Sequence, residues 1–91
     1  MSLSPDTLLG IRLSATMTRH RFTRDPAPVV AELQAIAGAH ADVLAHEAGS
    51  WAGYYDSPDT HTLAEALLEI PGAREWEAEG RARRAAPAPG D

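Results

Sequence analysis

Apolar residues recur at helical spacing along most of this chain, and the most regular run lies at residues 26–55. Val29, Val30, Leu33, Ile36 and Ala37 make one stripe, while Leu44, Ala48, Trp51 and Tyr55 make a second, spaced four, three and four. Between them, Gly38-Ala39-His40-Ala41 offers no large apolar group. One helix through the whole run and two helices broken at Gly38 are both readable from this pattern. The break is preferred, because glycine costs roughly 1 kcal/mol inside a helix relative to alanine and is favoured just past a helix end. Asp42 then falls in the first turn of the second helix, where a carboxylate suits the positive end of the helix dipole. A short connection lays the two helices side by side as an αα-hairpin.

The first element is ambiguous. Ser4-Pro5-Asp6 has the order of a helix start: a capping hydroxyl, a proline at the first helical position and an acid in the first turn. Leu9, Leu13 and Met17 follow at helical spacing. Residues 8–18 also alternate, with Leu9, Ile11, Leu13, Ala15 and Met17 set between polar or small residues, as in a half-buried strand. A lone strand would have to pair across a dimer. Helix is preferred, since the start signal is good and the remaining pattern is helical.

Beyond Met17 the chain passes through Arg19-His20-Arg21-Phe22-Thr23-Arg24 to Asp25-Pro26, read as a helix start with Asp25 as cap. Phe22 is expected to anchor this connector in the core. After Tyr55, Asp56-Ser57-Pro58-Asp59 breaks the chain, and Thr62 to Glu65 has capping-box spacing. Leu63, Ala66, Leu67 and Ile70 form the next stripe, ended by Pro71-Gly72. A last short helix carries Trp76, its one large apolar residue, on which docking is expected to rest. The fold class predicted is all-α, a small bundle of three to five helices centred on the αα-hairpin. Residues 1–84 are expected to form one helical domain and residues 85–91, rich in Ala and Pro, a disordered tail.

Composition changes this picture in one respect. Of the 91 residues 44% are apolar, but 18 are alanine and only 18 are Leu, Ile, Val, Met or Phe. Burial contributes about 25 cal/mol per Å², so methyl-sized side chains make a thin core. A chain with a thin core and no cysteine to staple it is expected to associate, most simply as a homodimer. There is no run of 18 apolar residues and no basic start followed by an apolar segment, so neither a membrane span nor a secretory signal is expected, and the cytoplasm is the expected compartment.

Charge is unevenly spread. Net charge is −5, yet residues 25–73 hold eight carboxylates and no Arg or Lys, while the arginines gather at the two ends. Arg19, Arg21 and Arg24 are candidate phosphate contacts, with Phe22 placed to stack on a base. Three arginines beside an acidic body make a small footprint for nucleic acid, so a small DNA-binding or regulatory protein is the alternative reading.

His40, Asp42 and His46 are the candidate metal ligands, because Asp42 and His46 are four apart and share a helix face. His46-Glu47 resembles the opening of the zinc-protease motif, but Ser50 stands where the second histidine belongs. No cofactor motif or phosphate loop is present, and no catalytic residue is assigned. Trp51, Tyr54, Tyr55 and Trp76 are the candidate interaction surface, since Trp and Tyr often carry binding energy. The chain therefore reads as a small helical interaction or self-association module without catalytic activity.

Overall fold

The computed structural model describes residues 3–85, in five helices: α1 (Pro5–Arg19), α2 (Ala27–Ala37), α3 (Ala41–Tyr54), α4 (His61–Leu68) and α5 (Ala73–Ala85). Among the described residues there is no strand. The pairing of a strand over residues 8–18 across a dimer is thereby set aside. Leu9, Leu13 and Met17 are buried as one helical stripe, and the odd-numbered alternation is split, with Ile11 and Ala15 turned to solvent. Ser4 caps α1 as its sequence foretold, accepting from the Thr7 N–H at 3.2 Å. α5 runs one residue past the boundary expected at 84, and the rest of the expected tail lies outside the described residues.

The hairpin of α2 and α3 is present and turns at Gly38, whose φ of 56° and ψ of −121° few residues other than glycine tolerate. Asp42 is in the first turn of α3. The start of α2 differs from expectation: Pro26, not Asp25, occupies the cap position and no side chain caps it. Asp25 instead donates its backbone N–H to the Thr23 hydroxyl at 3.2 Å, a local turn that takes it away from the helix end. His61 begins α4 one residue before Thr62, and its cap residue, Thr60, bonds back to Ser57.

α3 is the middle of the bundle, packing on each of the other four helices and most extensively on α5. Leu13, Met17, Leu33, Leu63 and Leu67 are wholly buried around it, with Ala37, Ala48, Ala52, Ala64 and Ala73 filling the contacts between helices. The association of α3 with α5 does not rest on the Trp76 ring alone. Ala73 is fully buried, and Gly49 of α3 lies against the α5 backbone so closely that a Cβ there would collide with the Ala73 carbonyl oxygen and the Trp76 Cβ. Small residues on both sides let the backbones meet, which compensates for the scarcity of large apolar groups in α5.

Phe22 is not in the core. Its ring is 59% exposed and covered on one side by the Arg21 guanidinium, 4.7 Å from the ring centre. Met17 is the last buried residue of α1; the turn closed by the Thr23 N–H on the His20 carbonyl then carries Phe22 outward.

Candidate functional site

The aromatic residues expected to act together separate by depth. Tyr55 is buried, Trp51 and Trp76 are half-buried, and Tyr54 is 74% exposed. Trp51, Tyr54 and Tyr55 remain in mutual contact, with ring centres 5.4 to 6.0 Å apart. Trp76 stands elsewhere, edge to face with His46 at 4.7 Å. Burial pushes the Tyr55 phenol above its ordinary value of 10.0; Thr18 and the Arg21 charge pull the other way, and Tyr54 adds a smaller upward push. Among the described residues the Tyr55 hydroxyl has no hydrogen bond of good geometry, although Thr18 lies near enough to favour its anion.

Trp51 is tied to α1. Its indole N–H donates to Ser14 Oγ at 2.9 Å, and that hydroxyl donates to Glu47 Oε2, also at 2.9 Å. Neither Ser14 nor its bridging role was singled out by sequence reasoning, because the partners lie 33 and 37 residues apart along the chain. The bond fixes Trp51 against α1 at Ser14. On the outer side of α1, Ser4, Leu8, Ile11, Ala15 and Thr18 recur at alternating spacings of four and three, and all are exposed. Leu8 is 48% and Ile11 53% exposed, so α1 carries an apolar stripe on the side opposite its core face. The strand-like alternation of residues 8–18 contained this signal, since a helix apolar on two faces also places apolar groups at odd positions.

Beside that stripe, α1, α3 and α5 enclose an open groove of about 600 Å³. Ile11, Val43 and Trp76 form its apolar walls, and Asp6, Asp42 and Glu47 bring three carboxylates to it. Glu47 is held at the α1 side by Ser14 and lies 3.6 Å from His46 Nδ1.

The metal candidates do not converge. His46 faces Glu47 and Trp76, whereas His40 Nδ1 lies 3.9 Å from Asp6. Among the described residues no three acidic or imidazole side chains gather as a metal-holding group. Of the candidate phosphate contacts, Arg19 is drawn to Glu32 of α2 at 3.4 Å, Arg21 lies over Phe22, and Arg24 is exposed. No helix among the described residues is long and apolar enough to cross a membrane.

The class these features define is an all-α five-helix bundle with an apolar outer helix face. Comparison with protein-family models, with curated proteins and with solved structures found no match to this chain.

Proposed function

We propose that this chain is a non-catalytic interaction module that associates with itself through the outer face of α1. The observation that supports this reading is the exposed stripe of Leu8, Ile11 and Ala15, flanked by Ser4 and Thr18. Its alternating spacing of four and three is the spacing with which one helix packs along another. A specific interface needs roughly 1,200 Å², and the exposed Tyr54, in contact with Trp51, is a further aromatic group available to it. A core in which six of the sixteen buried apolar residues are alanine gains stability from this additional cover. Nucleic-acid binding through Arg19, Arg21 and Arg24 is the weaker reading, because Glu32 already faces Arg19 and Arg21 is spent on Phe22.

Light scattering over a range of micromolar concentrations tests the proposal. The expected result is a mass that rises toward two chains and returns to one in the Leu8→Glu, Ala15→Glu double variant, whose helical content stays native and whose melting temperature no longer rises with concentration. A native mass of one chain throughout the range overturns it.

A further inference from the structure

We propose that the groove between α1, α3 and α5 docks a basic amphipathic segment of a partner protein, seating an arginine or lysine head group among Asp6, Asp42 and Glu47. The walls and the charges are complementary to that chemistry. Arginine and lysine carry an apolar stem below a charged head; Ile11 and Val43 receive the stem, and the Trp76 ring attracts the cation. Among the described residues no arginine lines the groove, the chain has no lysine, and the lining residue that faces a carboxylate with a basic group is His46, 3.6 Å from Glu47.

The carboxylate at the base of the groove is fixed in place. Glu47 is 20% exposed, accepts from Ser14, and rests against Gly10, where a Cβ would stand only 2.9 Å from Glu47 Oε1. Asp6 and Asp42 are exposed at the rim, where they draw a cation in from solvent. Of the arginines at the end of α5, Arg81 pairs with Glu77 and Arg83 with Glu79; the groove is assigned to a basic segment of another protein, and the exposed Arg12, Arg24 or Arg84 of a second copy is the competing occupant that the experiment separates. Ile11 belongs both to this groove and to the proposed dimer stripe, but Leu8 and Ala15 do not line the groove, so the Leu8→Glu, Ala15→Glu variant alters the dimer stripe with every groove residue unchanged.

The test is calorimetric titration of the full chain, and of the Leu8→Glu, Ala15→Glu variant, with a synthetic helical peptide bearing arginines on one face and leucines on the other. A matching peptide with glutamates in place of the arginines is the control. The expected result is saturable binding of the arginine peptide to both proteins, weakened by salt, and no binding of the control. Asp6→Asn and Asp42→Asn, exposed and structurally mild, are each expected to weaken binding about threefold to fivefold. No heat with the arginine peptide, equal heat with both peptides, or affinity unchanged in the two aspartate variants overturns the proposal. Dissociation of a native dimer by Asp6→Asn and Asp42→Asn, without peptide binding, gives the groove to a second copy and likewise overturns it.

Discussion

The Cβ of Trp76 stands 2.7 Å from the point a side-chain carbon on Gly49 would occupy, so α3 and α5 meet at a distance only glycine permits. The prediction is that Gly49→Ala destabilises the fold by about 1–3 kcal/mol, the usual cost of overpacking. That loss outweighs the helix-propensity gain of roughly 1 kcal/mol. Gly80→Ala is the contrasting variant. A Cβ there meets only the tip of Arg84, at 3.4 Å, so the propensity gain is expected to appear as a higher melting temperature. Thermal unfolding of the two variants beside the native chain checks both signs.

Gly38 offers a second backbone test. Its positive φ makes the turn between α2 and α3, and a Cβ there meets no neighbouring atom within 4 Å. Any cost of Gly38→Ala is therefore backbone strain alone, expected at about 1–3 kcal/mol by urea unfolding. A variant as stable as the native chain would show that the turn is not held at this angle in solution.

Ser14 and Trp51 form a bond that a double-mutant cycle can weigh. Ser14→Ala strips both the Trp51 N–H and the Glu47 carboxylate of a partner, and a loss of about 1–2 kcal/mol is expected for this half-buried group. Combined with Trp51→Phe, the two losses should fall short of their sum by about 0.5–1.5 kcal/mol. Strict additivity would mean the bond does not contribute.

Tyr55 is expected to make stability fall at alkaline pH. Its phenol titrates higher in the folded chain than the unfolded value of 10.0, chiefly because burial disfavours the anion. Below pH 10 both states hold the proton, and the contribution to stability is fully present. As pH rises above 10 the unfolded chain ionises first, so stability falls toward the higher folded value. Tyr55→Phe removes the orphaned hydroxyl and this titration together. It is expected to match the native chain or exceed it by up to about 1 kcal/mol at neutral pH. Above pH 10, its unfolding curves should shift less with pH than the native ones.

Local pattern carried the signals for the helices of this protein, although it also left a strand readable over residues 8–18 and one helix readable over residues 26–55. The Ser4-Pro5-Asp6 start, the break at Gly38, the Pro71-Gly72 stop and the stripes through Leu13, Leu33, Leu44 and Leu63 are all short-range features, because caps and a 3.6-residue period act within a few turns. The candidate surface was legible only in part: its aromatic residues were identifiable, but their depths were not. That Tyr55 is sealed in while its neighbour Tyr54 is open, that Phe22 swings outward, and that Ile11 faces solvent all depend on where other helices lie. Only the tertiary structure decided that Ser14 would meet Trp51 and that Gly49 would admit α5. Those contacts join residues dozens of positions apart through shape and close backbone approach, which periodicity along a single helix does not encode.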